Sequence, residues 1–156
     1  MTYILNIETT TKSCSVVLSF NKETIALKES QSTYTHSENI TIFVSEVIKD
    51  AGITLKMIDA IAVSRGPGSY MGLRIGVSTA KGLCYALDKP LIAVDTLKAM
   101  ASKACALKKV NKALYCPMID ARRMEVYCAM FNSNNNYFSA TEAKIIDEFS
   151  FEKELK

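Results

Sequence analysis

The chain has 156 residues, of which 49% are hydrophobic and 22% are charged. This composition is ordinary for a soluble fold, and a chain of this length buries ~70% of the surface that its unfolded form exposes. A disordered, collagen-like or low-complexity chain is excluded. Nineteen Lys and Arg residues against sixteen Asp and Glu leave a net charge of +3, which is too small and too scattered to predict a nucleic-acid-binding face.

The sequence contains no transmembrane run, no signal-peptide pattern in its first residues and no closely spaced pair of cysteines. No apolar run approaches the ~20 residues that span a bilayer, and the N-terminus lacks the basic and then apolar order of a signal peptide. We therefore expect a cytoplasmic protein without a membrane partner. The five cysteines contain no CxxC pair, which favours reduced thiols over a disulfide framework or a zinc ribbon.

The chain begins with a predicted meander of three strands. Residues 3–8 are mostly apolar and do not alternate regularly, which indicates a central strand buried on both faces. Residues 13–20 alternate between apolar and polar, and a polar turn leads to a predicted antiparallel partner over 24–29.

A first helix is predicted to follow this meander. Thr35 and Glu38 have the spacing of a capping box, and Gly52 marks the helix end. The apolar residues between them form one stripe at helical spacing: Ile40, Phe43, Val44, Val47 and Ile48.

Strands and helices then alternate, which predicts an α/β domain with a mixed sheet. The predicted elements are a strand over 58–64, a helix over 70–86, a strand over 91–94 and a third helix that Asp95 or Thr96 caps. A second sheet is expected from about Val110, with strands over 114–119, 125–131 and 143–146, a turn over 120–123 and a stub of helix over 150–156. We predict a first lobe over 1–109 and a partial second lobe over 110–156.

Five of the six glycines cluster between residues 66 and 82. The Gly66-Pro67-Gly68 turn precedes a helix, where backbone N–H groups could hold an anion, but neither a P-loop nor a dinucleotide fingerprint is present. Small side chains then recur every four residues, at Gly68, Gly72, Gly76 and Ala80. Three interpretations stay open for this stripe: packing on the chain's own sheet, a subunit interface, or phosphate binding.

The glycine segment carries a family resemblance. RGPGSYMGLRIG at 65–76 and AKGL at 80–83 closely resemble the GPGSFTGLRIG and AKGL segments of the TsaB family, also called YeaZ. Further pieces match in order: ILNIETT at 4–10, CSV at 14–16, HSE at 36–38, IDAIAV at 58–63 and IDAR at 119–122.

This resemblance implies an actin-like ATPase fold built from two ribonuclease H-like lobes, with an incomplete second lobe here because family members usually carry a longer one. It also implies a role in forming threonylcarbamoyladenosine in tRNA. The implied partners are a TsaD-type catalytic subunit and a TsaE-type ATPase, with a homodimer when the chain is alone and tRNA reached only indirectly.

Catalytic residues of the paralogue TsaD are not matched in this chain. TsaD opens a helix with two metal-binding histidines four residues apart, and the matching positions here are Thr96 and Met100. The single histidine, His36, belongs to the start of the first helix. We therefore predict no metal site and no catalytic residue.

Two sets of candidate site residues follow. The resemblance places a partner interface on the first two helices, with the candidates Ile40, Phe43, Val47, Gly68, Gly72, Leu73, Arg74, Gly76, Val77 and Ala80. A phosphate or nucleotide site would use Glu8, Thr9, Thr10, Gly66, Gly68, Ser69 and Asp120.

The sequence thus favours a non-catalytic scaffold that activates a TsaD-type subunit and requires no cofactor. The alternative is a nucleotide-dependent enzyme that binds ATP or ADP between the lobes. A third interpretation is a small self-associating protein without a present partner.

Overall fold

The computed structural model describes residues 1–30, 36–108, 110 and 112–154, with only the backbone for 36–38. The chain divides into two compact units, Met1–Thr96 and Leu97–Lys156. This division falls after the first residue of the third helix, whereas the predicted lobe boundary lies after residue 109. The lobes over 1–109 and 110–156 therefore stay a prediction.

The first unit is a five-stranded mixed sheet with two helices. Strands β1, β2 and β3 form the predicted antiparallel meander, and β4 and β5 run parallel to β1. The order across the sheet is β3-β2-β1-β4-β5. The elements are β1 (Tyr3–Glu8), β2 (Cys14–Phe20), β3 (Glu23–Ser30), α1 (His36–Asp50), a short 3₁₀ helix (Leu55–Met57), β4 (Ala60–Ser64), α2 (Tyr70–Leu87) and β5 (Leu91–Val94).

The central strand β1 is buried on one face only, which corrects the expectation of two buried faces. Leu5 and Ile7 are buried in the core, whereas Ile4 and Asn6 on the other face are half-buried. The Asn6 amide donates hydrogen bonds to the Val17 carbonyl oxygen at 3.2 Å and to the Ile4 carbonyl oxygen at 3.0 Å. A polar side chain is tolerated there because the backbone satisfies it.

Helix α1 has the predicted stripe and the predicted end. Gly52 has φ +66°, its N–H bonds to the Lys49 carbonyl, and the Ile53 N–H bonds to the Ile48 carbonyl, which is the Schellman arrangement. Thr35 and the side chain of Glu38 lie outside the described residues, and with them the predicted capping box. The core of this unit joins α1 to the sheet and α2 through Leu5, Ile7, Val16, Leu18, Ile40, Val44, Val47, Ile48, Ile61, Val63 and Ala80.

The second unit contains most of α3 (Thr96–Leu107) and five short strands. These are β6 (Leu114–Tyr115), β7 (Met118–Arg122), β8 (Glu125–Cys128), β9 (Phe131–Asn132) and β10 (Glu142–Ile145). They form a three-stranded sheet in the order β10-β8-β7 and a two-stranded sheet of β6 with β9. Leu97 and Ala101 of α3 pack with Ile119 and Phe131, which is why this helix groups with the second unit.

Four details of this unit differ from the predicted elements. The strand over 114–119 breaks at Cys116-Pro117, where proline has no N–H for a ladder, and the strand over 125–131 divides into β8 and β9. Strand β7 extends through Arg122, so the turn lies later than predicted. In place of the helix stub, the described residues after Ile146 form turns.

No helix among the described residues is both long and apolar enough to cross a bilayer.

Candidate functional site

The carboxylate of Glu8 joins the ends of two neighbouring strands. Its Oε1 accepts hydrogen bonds from the Thr10 N–H at 2.6 Å and from the Thr10 hydroxyl, and its Oε2 accepts one from the Ser64 hydroxyl. Ser64 ends β4, while Thr10 lies in the turn after β1. Both carboxylate oxygens are therefore engaged by the chain itself.

The turn after β1 is also hydrogen-bonded to the start of α2. The Thr9 hydroxyl donates to the Gly72 carbonyl oxygen at 2.7 Å, and the Ser69 N–H donates to the Thr10 carbonyl oxygen at 2.7 Å. Each threonine has only 1% of its surface exposed. Ser69 is the N-cap of α2, and its Oγ accepts from the Gly72 N–H at 3.3 Å.

The glycine stripe fits against this same turn. A Cβ atom on Gly72 would lie 1.9 Å from the Thr9 carbonyl oxygen, and one on Gly76 would lie 2.3 Å from the Thr9 Oγ1. A Cβ atom on Gly68 would lie 2.5 Å from the Thr10 Cβ. Of the three interpretations of the stripe, packing within the chain accounts for these contacts. We therefore remove Gly68, Gly72, Gly76 and the fully buried Ala80 from the partner surface.

Most of the phosphate candidates come together, although in a closed arrangement. The residues that meet at this turn are Glu8, Thr9, Thr10, Gly68 and Ser69. The Glu8 carboxylate, the threonine hydroxyls and the polar groups of Ser69 are hydrogen-bonded to one another or to α2. The backbone of Gly66 has φ +103°, and its carbonyl oxygen accepts from the Thr96 N–H at 3.0 Å.

Asp120, the last phosphate candidate, belongs to the second unit. It is exposed, and its Oδ1 accepts from the Arg122 N–H at 2.7 Å within the β7–β8 hairpin. This bond is the structural role that a hairpin aspartate commonly has. The positions that match the TsaD histidines lie in α3, where Thr96 is buried and Met100 is 40% exposed. The described residues contain no group of three or more His, Cys, Asp or Glu side chains placed to hold a metal ion.

The remaining interface candidates differ in their accessibility. Ile40 and Val47 belong to the core, with 1% and 0% exposure, so they cannot reach a partner. Phe43, Leu73 and Val77 are half-buried, and their place on a partner surface stays a prediction. Arg74 is exposed, with its guanidinium 4.5 Å from the centre of the Tyr70 ring.

An apolar groove runs between α1 and α2, and the sequence did not indicate it. Its volume is about 250 Å³. Thr41, Val44, Ser45 and Ile48 line it from α1, Leu55 from the 3₁₀ helix, and Thr79 and Leu83 from α2. The signal available in the sequence is the pair of i, i+4 spacings Thr41–Ser45 and Thr79–Leu83, where the short hydroxyl side chains of Thr41, Ser45 and Thr79 lie next to apolar residues.

Cys14, Cys84, Cys116 and Cys128 have raised pKa values that keep these thiols protonated. Burial, and then the neighbouring Cys128, raise the pKa of Cys116 to about 11. Burial, and then the charge of Glu8, raise the pKa of Cys14. All five cysteines are free thiols in the structure. A protonated thiol is a weak nucleophile, so the raised pKa values of Cys14, Cys84, Cys116 and Cys128 disfavour their reaction as thiolates.

The sheet order and the paired helices on one of its faces define a class of protein, the α/β proteins with an actin-like ATPase fold. The Ppx/GppA phosphatase of Aquifex aeolicus shares the fold, with a TM-score of 0.50 at 7% identity. The structure of YeaZ from Pseudomonas aeruginosa is more similar, with a TM-score of 0.80 at 28% identity over 94% of this chain and 68% of that chain.

Sequence comparison narrows this class to a family. A family model described as "TsaD: tRNA N6-adenosine threonylcarbamoyltransferase" matches residues 29–151. The chain is 35% identical to the tRNA threonylcarbamoyladenosine biosynthesis protein TsaB of Escherichia coli, over 96% of this chain and 65% of that protein. It is 36% identical to the protein of the same name from Haemophilus influenzae, over 80% of this chain and 51% of that protein.

The chain belongs to the TsaB (YeaZ) family. It spans between about half and two thirds of the length of these two relatives. The predicted fold class is confirmed by the same comparisons.

Proposed function

We propose that this protein is a non-catalytic subunit that binds a TsaD-type catalytic subunit and activates it for forming threonylcarbamoyladenosine in tRNA. A TsaE-type ATPase completes the assembly, tRNA is bound by the partners, and the chain alone forms a homodimer in the cytoplasm. The observation that carries this proposal is the apolar groove between α1 and α2.

The groove has the form of a helix-binding site. Its floor is apolar at Val44, Ile48 and Leu83, and its edges carry the small polar side chains of Thr41 and Ser45. Amphipathic helices bind such grooves by burying their apolar face. The relatives are named for the biosynthesis of a modified tRNA nucleoside, and the family model carries the name of the transferase, so a TsaD-type helix is the occupant that we propose.

The alternative of a nucleotide-dependent enzyme finds less support at the turn after β1. Both carboxylate oxygens of Glu8 accept hydrogen bonds from the chain, and Thr9 and Thr10 are buried. A nucleotide that used the buried hydroxyls of Thr9 and Thr10 would have to displace the hydrogen bonds that they donate within the chain.

The test is assembly with the TsaD-type subunit of the same organism. We expect the mixture to form a defined complex by light scattering, and we expect this chain to stimulate threonylcarbamoyl transfer to tRNA when the TsaE-type ATPase and ATP are present. The chain alone should not turn over ATP. Absence of a complex at micromolar concentrations, or ATP turnover by the isolated chain, would overturn the proposal.

A matched pair of variants tests whether the complex forms through the groove. Ser45→Arg places a long charged side chain on the exposed edge of the groove, and we expect it to weaken the complex at least about tenfold. Ser102→Arg makes the same change at an exposed position of α3 and should leave the complex intact. Equal effects of the two changes would remove the groove from the proposal.

A further inference from the structure

Two cysteines of the second unit lie side by side although the sequence separates them. Met118, the first residue of β7, pairs with Cys128 of β8 across the antiparallel ladder. Cys116 precedes Met118 by two residues, and the proline that follows it favours extended backbone, in which residues two apart face the same side. Cys116 is therefore a diagonal neighbour of Cys128, and their side chains are hydrogen-bonded to each other. This contact brings together the two sulfur atoms that a disulfide would join.

The two thiols differ in their access to solvent. Cys116 is half-buried and belongs to the connection between β6 and β7. Cys128 is 2% exposed and lies in β8, the middle strand of its sheet. A dissolved reagent therefore meets the sulfur of Cys116 first. Thiol–disulfide exchange proceeds through a mixed disulfide, which a second thiol next to the first one resolves. Cys116 has the position of the entry thiol, and Cys128 has that of the resolving thiol.

Burial and three charged side chains determine how readily these thiols ionise. Burial is the largest effect and raises the pKa of both thiols, which also act on each other. Lys144 of β10 lowers both pKa values. Glu154 raises the pKa of Cys116. Glu142, which pairs with Cys128 in the ladder of β8 and β10, raises the pKa of that thiol. Thiolates are therefore scarce at neutral pH, so exchange at this pair is slow there and faster in alkaline solution.

We propose that Cys116 and Cys128 form a reversible disulfide by exchange with a small-molecule disulfide such as oxidised glutathione. The Cys116 thiolate attacks one sulfur of that molecule and forms a mixed disulfide, and the released thiolate takes up the proton that Cys116 lost. The Cys128 thiolate then attacks the Cys116 sulfur, and the second small-molecule thiolate leaves and takes up the proton from Cys128.

In sum, two protein thiols are oxidised to one disulfide, and one small-molecule disulfide is reduced to two thiols. The new bond ties the break at Cys116-Pro117 to β8 and closes a covalent loop around the hairpin of β7 and β8. The site lies in the second unit and does not depend on the groove between α1 and α2.

Peptide mapping after reaction with oxidised glutathione tests the proposal on the full chain. The reaction is run at about pH 8.5, near the ordinary pKa of a thiol, and free thiols are then alkylated. Trypsin places Cys116 on the peptide 113–122 and Cys128 on the peptide 124–144, so a disulfide joins two otherwise separate peptides. We expect the intact chain to lose two hydrogen atoms in mass and these two peptides to be joined. Dithiothreitol should separate them again.

Serine variants separate the two steps. Cys128→Ser should stop after the first step and accumulate glutathione on Cys116, because no resolving thiol is left. Cys116→Ser should leave Cys128 unmodified over the same time, because that thiol is 2% exposed. Cys105→Ser removes another half-buried thiol and is the control, in which the joined peptides should form as in the wild type. Circular dichroism checks that each variant is folded.

The wild-type chain decides the outcome even if a variant fails to fold. Absence of the joined peptides in the wild type would overturn the proposal. A glutathione adduct that persists on Cys116 of the wild type would overturn it as well, since Cys128 would then not be a resolving thiol. Modification of Cys128 in Cys116→Ser at the rate seen for Cys116 would overturn the order of the two steps.

Discussion

Thr9 and Gly72 approach so closely that a Cβ atom on Gly72 would lie 1.9 Å from the carbonyl oxygen of Thr9. The Thr9 hydroxyl also donates to the Gly72 carbonyl oxygen at 2.7 Å. The turn after β1 is thereby held against the first turns of α2. This contact explains why the glycine stripe is part of the chain's own packing.

Gly72→Ala is expected to destabilise the protein by about 3 kcal/mol, because the new methyl group meets backbone atoms that cannot turn aside. Gly82→Ala adds the same methyl group to the same helix in open space, and it should gain about 1 kcal/mol. Urea unfolding followed by circular dichroism measures both free energies. Similar values for the two variants would contradict the packing of the turn on α2.

Glu8→Gln should reduce the free energy of unfolding by about 2 kcal/mol, because an amide cannot accept all the hydrogen bonds that Thr10 and Ser64 donate to the carboxylate. Asp120→Asn changes an exposed carboxylate and should cost about 0.5 kcal/mol or less. Chemical unfolding measures both. A rise in Tm when ATP and Mg²⁺ are added to the wild type, abolished in Glu8→Gln, would show instead that Glu8 serves a nucleotide.

The raised pKa of Cys116, about 11, predicts a loss of stability in alkaline solution. The unfolded chain releases the thiol proton near pH 9, while the folded chain keeps it to about pH 11, so the free energy of unfolding should fall as the pH rises through this window. Cys116→Ala should make the fall shallower. Urea titrations at a series of pH values test this, and an unchanged slope in the variant would contradict a shielded thiol.

Tyr85→Ala should weaken the complex with the TsaD-type subunit about tenfold or more, because Tyr85 is a large aromatic side chain exposed on α2 and such side chains are enriched among interface anchors. The fold should be unaffected, since the side chain is 93% exposed. Leu107→Ala truncates a side chain on α3 that is 75% exposed and is the control. Calorimetric titration gives both affinities, and a Tyr85→Ala affinity equal to that of the control would contradict the prediction.

The sequence predicted the first unit closely because its signals are local. The α1 stripe and the Gly52 end, the Ser69 turn before α2, and the short strand over 91–94 each depend on residues that are neighbours in the chain. The second unit was predicted less well. Cys116-Pro117 interrupts one apolar run, and the ladders of β6 with β9 and of β8 with β10 depend on partners that are far apart in sequence.

The sequence by itself determined the family and the elements of the first unit, since residues 65–83 carry a long and specific pattern. Only the tertiary structure decided what the small side chains contact. From the sequence alone, a row of glycines that packs on a turn of the same chain cannot be distinguished from one that packs on another subunit. The absence of a Cβ atom does not identify the neighbouring group. The position of Thr9 identifies that neighbour at Gly72 and Gly76, whereas a Cβ atom on Gly82 would meet nothing of this chain within 4 Å.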